Sequence, residues 1–151
     1  MTATIRSVAP AGPLFEEVCL LFDAYRVHYG EPAAATATRT WLGQQLERRR
    51  FGAYAALVDG EVAAFVTTAV IPASLTLRTA WLIRDLFVAP RYRRAGLARQ
   101  LLRHVLDAAR ADRAFRVSLQ TETTNTHALA LYNSFGFQPV DGIEQLTLIL
   151  E

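Results

Sequence analysis

The residues best equipped for chemistry crowd into RYRRAGLARQLLRHV, residues 91–105, which holds five arginines and one glycine. This stretch follows a β-prone run ending Asp85-Leu-Phe-Val-Ala-Pro90 and opens a helical pattern. Strand, proline, arginines, small-residue turn and helix together present several free backbone N–H groups. The first four amides of a helix lack intrahelical partners, and the helix dipole adds positive potential there. An anion, above all a phosphate, suits such a place. Gly96 lets a bulky group approach the main chain, Ala98 keeps the next turn small, and Arg91, Arg93 and Arg94 can add charge-assisted contacts. No Gly-Lys-Ser/Thr ending makes this a nucleoside-triphosphate loop, and the first strand carries no Gly-x-Gly-x-x-Gly turn. A major-groove helix fits poorly, because Asp107 and Asp112 interrupt the basic side formed by Arg99, Arg103 and Arg110.

Other reactive groups are scattered. Asp85 lies in the strand before the turn and Glu122 follows the next β-prone run; each carboxylate is a candidate general base or an ordinary ion-pair partner. His28, His104 and His127 show no metal-ligand spacing with one another, with Cys19 or with carboxylates, so no metal is expected. His104 and His127 read as structural, His28 as a helix-face residue, and Cys19, set between apolar neighbours, as a buried inert thiol.

The elements that must position these groups follow from periodicity. Strands are expected at 4–8, 51–58, 61–71, 77–88, 115–120 and 145–150, and helices at 14–30, 40–50, 96–110 and 125–135. Asp59-Gly60 marks a tight hairpin, and Gly136 a helix end. The order β-α-α-β-β-β-α-β-α-β predicts an α/β (α+β) fold: a mixed, mostly antiparallel sheet of six to seven strands flanked by four helices. One domain over residues 1–151 is expected, since no repeat, linker or low-complexity tract divides the chain.

Composition narrows the setting. Apolar residues make up 52% of the 151, against disorder, and no run approaches the roughly 18 apolar residues of a membrane span. A net charge of only +2 speaks against wholesale binding of nucleic acid, although every one of the 16 basic residues is arginine. Composition bias explains the missing lysines; avoidance of self-modification by an amine-modifying enzyme is the other reading. No secretory leader is evident, and a single cysteine fits a reducing compartment, so a cytoplasmic location is expected.

Arg93-x-x-Gly96-x-Ala98, directly after the strand 85–90, resembles the acyl-coenzyme-A loop of the GNAT (GCN5-related) N-acetyltransferases, whose pattern is Gln/Arg-x-x-Gly-x-Gly/Ala. Asn125-Thr-His-Ala-Leu-Ala-Leu-Tyr132-Asn-Ser-Phe-Gly136-Phe137 resembles that family's second signature, and the order of elements is the family's own. Tyr25 to Pro32, with Arg84 to Val88, is similar to the branch containing small yeast histone and polyamine acetyltransferases.

The resemblance implies an acetyl-CoA-dependent N-acetyltransferase acting on a primary amine of a small molecule or protein, by direct attack in a ternary complex. It implies main-chain contacts from Leu86, Phe87 and Val88 to the pantetheine arm, with the N–H of Phe87 or Val88 as oxyanion donor. The pyrophosphate would lie on Arg93, Arg94, Ala95, Gly96, Leu97, Ala98 and Arg99. Asn125 is a further cofactor contact or simply a helix N-cap. Tyr132 is implied as the acid that protonates the leaving thiolate, with Asp85 or Glu122 as base, and His28 and Glu31 on the acceptor side. Neither nucleic acid nor membrane is expected as a partner, and a C-terminal edge strand would permit a homodimer. The alternative is an acyl-CoA-binding regulatory module without catalysis.

Overall fold

The computed structural model describes residues 2–151. Two compact units divide the chain, 1–120 and 121–151. The first contains β1 (Thr4–Ser7), α1 (Phe15–His28), α2 (Ala35–Glu47), β2 (Gly52–Val58), β3 (Glu61–Ala73), β4 (Arg78–Val88), α3 (Leu97–Ala111) and β5 (Arg116–Leu119). The second contains α4 (Thr126–Ser134). The mixed α/β architecture and four helices are as expected.

The five strands run in sequential order across one sheet. The pairs β1–β2, β2–β3 and β3–β4 are antiparallel, whereas β4 and β5, joined through α3, are parallel. Asp59 and Gly60 both take positive φ, 51° and 80°, which matches the twist a tight hairpin between β2 and β3 requires.

Strand alternation assigns the two faces. Ala53, Ala55, Phe65 and Phe87 share a core with Phe15, Val18, Cys19 and Phe22 of α1 and Leu42 and Leu46 of α2. Tyr54, between two of those alanines, points the other way and meets His104 of α3, their rings 4.8 Å apart. Helix α3 docks by Leu97, Leu101, Leu102, Val105 and Ala109, all buried, a stripe at helical spacing.

Two expectations need correction. Helix α2 begins at Ala35 rather than at residue 40, because α1 organises the chain ahead of it. The buried Asp23 carboxylate accepts the Ala34 N–H at 3.2 Å and the Thr38 hydroxyl at 2.7 Å, and pairs with Arg26 at 2.9 Å. Those bonds, the Thr38 hydroxyl's first, hold the Asp23 carboxyl below its ordinary value. The second correction concerns strand count: the sheet has five strands, not six or seven, and 145–150 forms no strand among the described residues. Strand propensity describes how side chains suit a pleated surface; a strand also needs a neighbouring row of N–H and C=O groups.

Candidate active site

The site begins with one extra residue in β4. Thr67 stands opposite Asp85 but Thr68 stands opposite Ile83, so Arg84 is bulged out of the ladder. A bulge of this kind shifts the alternation of faces. Before it, Trp81 points to the α3 side, where its indole N–H reaches Asp112 Oδ2 at 2.9 Å. After it, Asp85 and Phe87 point to the α1 side, although their odd numbering would otherwise put them with Trp81. Tyr25 of α1 donates its hydroxyl to Asp85 Oδ1 at 2.7 Å, and its ring lies 5.5 Å from that of Phe87.

The bulge also ends the pairing with β5. That ladder runs from Ala80↔Arg116 to Ile83↔Leu119 and stops there, leaving Asp85–Val88 without a strand on one side. Hydrogen-bond phase shows which groups line this opening. Ala89 N–H bonds Ala63 C=O at 2.9 Å, so the main-chain groups of Phe87 and Asp85 also face β3. Those of Leu86 and Val88 face the open side. An extended chain carrying amides can add there as a strand would. Of the two expected oxyanion donors, the register aims Val88 N–H into the opening and Phe87 N–H into the sheet.

At the end of β4 the chain passes through a single 3₁₀ turn, Pro90–Tyr92, and reaches α3 by a tight curl. Arg94 (φ 62°) and Gly96 (φ 78°) are both left-handed, the kind of turn that builds anion-binding concavities. Gly96 is the residue that caps α3, and a Cβ there would meet nothing within 4 Å, so space remains beside it. The first bond of the helix ladder here is Gln100 N–H to Gly96 C=O, at 3.1 Å. Leu97 and Ala98, in the first turn of the helix, therefore bring their amides to its mouth.

The arginines divide their work. Arg91 is held by an ion pair to Glu61, which also accepts the Tyr92 hydroxyl, so it is committed to β3 rather than to the helix mouth. Arg93 donates Nε–H to the Val88 carbonyl at 3.2 Å and lies over the Phe87 ring. Arg94 and Arg99 are exposed, and Leu97 contributes its side chain to the core.

Asp85 is the centre of a knot that spans three elements. Besides Tyr25, the hydroxyl of Thr67, fully buried in β3, donates to its other oxygen. Burial first, then the bond to Asp85, push the Tyr25 phenol well above its ordinary value. Tyr25 therefore keeps its proton and orients Asp85. Tyr25 and Thr67 are the site residues that sequence reasoning missed as partners of Asp85, since they lie 60 and 18 positions away. The only signal was Tyr25 at helical spacing on the apolar side of α1. His28 is exposed at the end of that helix and its ring sits 5.6 Å from Phe87; Glu31 is exposed in the following loop. Cys19 is buried, which pushes its thiol up to about 11 and leaves it unreactive.

In the second unit, Asn125 caps α4, its Oδ1 accepting the Ala128 N–H at 3.2 Å. Tyr132 is half-buried with its ring edge-on to Phe137 at 5.9 Å, and Glu122 is exposed, its carbonyl accepting the Asn125 N–H. Among the described residues no group of three or more His, Cys, Asp or Glu could hold a metal ion, and no helix is long and apolar enough to cross a membrane.

Comparison with known proteins agrees with this geometry. The model of the Acetyltransferase (GNAT) family matches residues 16–137. An uncharacterized N-acetyltransferase of Bacillus subtilis is 29% identical over 81% of this chain and 82% of its own. The Escherichia coli [ribosomal protein bS18]-alanine N-acetyltransferase is 31% identical over 76% of this chain and 72% of its own. The crystal structure of a probable acetyltransferase superposes with a TM-score of 0.91 at 29% identity, covering 98% of both chains.

Proposed function

Because the chain belongs to the GNAT acetyltransferase family and is an N-acetyltransferase of that type, we propose that it moves an acetyl group from acetyl-CoA to a primary amine by direct attack in a ternary complex. Enzymes of the family use acetyl-CoA as co-substrate, and the thioester supplies the acyl group. The observation that carries the proposal is the opening beside β4, which stands next to the left-handed curl at the mouth of α3. Leu86 and Val88 offer main-chain groups to the amides of a pantetheine arm, and the amides of Gly96 to Arg99, with Arg93 and Arg94, take the pyrophosphate.

An aliphatic amine is almost wholly protonated at neutral pH, with a pKa near 10.4, so the protein must take a proton before attack. Asp85, fixed by Tyr25 and Thr67 on the face turned by the bulge, is the base we assign, acting through water because both its oxygens already accept hydroxyls. Exposed Glu122 is the competing carboxylate. Val88 N–H stabilises the oxyanion, Tyr132 protonates the departing thiolate, and Asn125 adds a polar contact while capping its helix. His28 and Glu31 shape the acceptor side.

For the acceptor, the N-terminal alanine amine on which the Escherichia coli relative acts is the first to test, followed by polyamines and aminoglycosides. The likeness of Tyr25–Pro32 to the yeast-type branch keeps polyamines and histone-like peptides in that panel. A reducing, cytoplasmic setting fits the single cysteine.

The test is thiol release from acetyl-CoA across an amine panel, after calorimetry has established coenzyme A binding. Tyr132→Phe is expected to lower turnover about 100-fold or more with coenzyme A affinity unchanged. Full turnover in that variant removes the acid role. Binding without release for any amine favours the regulatory module, and DNA retention without coenzyme A binding overturns the proposal.

A further inference from the structure

Two different sets of contacts join α1 to α2. The helices pack through Phe15, Val18, Phe22, Leu42 and Leu46, members of one apolar core. The connection between them has no such anchor, because residues 29–33 are all exposed. It is held by hydrogen bonds from α1 instead. The last turn of the helix accepts first, Val27 C=O from Gly30 N–H and Arg26 C=O from Glu31 N–H, each at 3.0 Å. Side chains then take over. Arg26 Nη1 donates to the Pro32 carbonyl at 3.3 Å, and both oxygens of Asp23 accept the Ala34 N–H at 3.2 Å. Arg26 Nη1 at 2.9 Å and the Thr38 hydroxyl at 2.7 Å complete the shell of the Asp23 carboxylate, which belongs to a residue only 8% exposed.

A buried ion pair is weak support for a fold, since well-packed apolar residues in its place often hold as well. What Asp23 and Arg26 supply is the path of a loop that packing leaves free. That path matters because of what the loop touches. The Tyr29 ring meets that of Tyr25 edge-on at 5.2 Å, and Tyr25 in turn holds Asp85. Tyr29 also meets His28 at 5.1 Å, and the His28 ring lies 5.6 Å from that of Phe87. The loop is thus the outer rim of the ground around Asp85.

We infer that Asp23 is a positioning residue for the amine, an inference that rests on the acetyl transfer proposed for the same site. Through Arg26, Thr38 and Ala34 it sets where Tyr29 and Glu31 stand, and so governs amine affinity rather than the chemical step. Asp23→Asn keeps the shape and removes the charge. KM for the accepted amine should rise about tenfold, the effect of one charge-assisted hydrogen bond, with kcat and KM for acetyl-CoA within about twofold of their original values. Hydrogen exchange at the Ala34 amide should quicken while the amides of Leu42 and Leu46 keep their rates. Thr38→Val should act the same way and Thr38→Ser should not, and this pair decides the matter if Asp23→Asn fails to fold. A quickened Ala34 amide with unchanged amine KM, or a fall in kcat in place of the rise in KM, overturns the positioning role. An Ala34 amide that exchanges at its original rate overturns the pinning itself. If the unaltered protein acetylates no amine, the acetyl-transfer reading fails and amine positioning with it, even where Ala34 responds as expected.

Discussion

The turn at the mouth of α3 and the knot around Asp85 both belong to the proposed site but are made in opposite ways. The turn is contiguous: residues 93–99 carry its curl, its glycine and its amides, and its side chains are largely exposed. The knot joins a helix and two strands through side chains far apart in sequence, and Thr67, one member, is fully buried. A local turn can bind an anion through main-chain groups, so single side-chain changes erode it slowly. A buried knot fails at once when one member leaves, because the others lose their partners in low dielectric.

The sharpest way to break this contrast is Asp85→Ala. It strands the Thr67 hydroxyl and the Tyr25 phenol, and should cost about 2–3 kcal/mol in urea denaturation together with most of the activity. Asp85→Asn keeps an acceptor and should lose activity with a smaller stability loss. Equal stability in both variants would make the knot irrelevant to folding. Next in size is Gly96→Val, which meets no neighbour but imposes a left-handed backbone on a branched residue. About 1–2 kcal/mol of stability should be lost, and calorimetry should show coenzyme A affinity reduced about tenfold, since the helix-mouth amides are displaced.

A smaller effect is expected from Arg93→Ala. Its guanidinium is exposed, so stability should change by under about 1 kcal/mol. Coenzyme A binding should weaken a few-fold and become less sensitive to salt, a change that repeating the titration at 50 and 300 mM salt would expose. A Gly96→Val affinity loss smaller than that of Arg93→Ala would show that side chains, not the main chain, make the grip.

Further effects appear in alkali. Cys19 and Tyr25 are both raised in the folded state, chiefly by burial, so each stabilises the fold fully below its unfolded pKa and loses that contribution as pH climbs. For Cys19 the loss runs from about 9 to about 11; for Tyr25 it begins near 10, the ordinary phenol value, and continues upward. Urea midpoints should fall above pH 9, Cys19→Ala flattening the first part and Tyr25→Phe the second. A midpoint independent of pH up to 11 would contradict both burials.

Much of the site was legible from short spacings. Gly96 follows Arg93 by three and precedes Ala98 by two, and the leucines of α3 recur at helical intervals; such patterns survive in a bare sequence because the groups involved are neighbours along the chain. The bulge at Arg84 was not legible in its consequences: alternation through β4 predicts Asp85 and Trp81 on the same face, and only pairing with β3 shows that they are opposed. Helix α2 started early for a similar reason, since Asp23 in α1 captured Ala34 and Thr38. The strand pattern of 145–150 was read correctly as chemistry and incorrectly as structure, because a strand is a relation to a neighbour.

The sequence by itself determined the order of elements as far as α4, the apolar stripe of α3, the hairpin at Asp59-Gly60 and the glycine-bearing turn at Arg93 to Arg99. Each rests on backbone preference or periodicity within a few residues. Tertiary structure alone decided that Asp85 meets Tyr25 and Thr67, that Val88 rather than Phe87 offers its N–H to the opening, and that β5 ends the sheet. Those outcomes depend on hydrogen-bond phase and on which surfaces meet, and neither is written in any single stretch of chain.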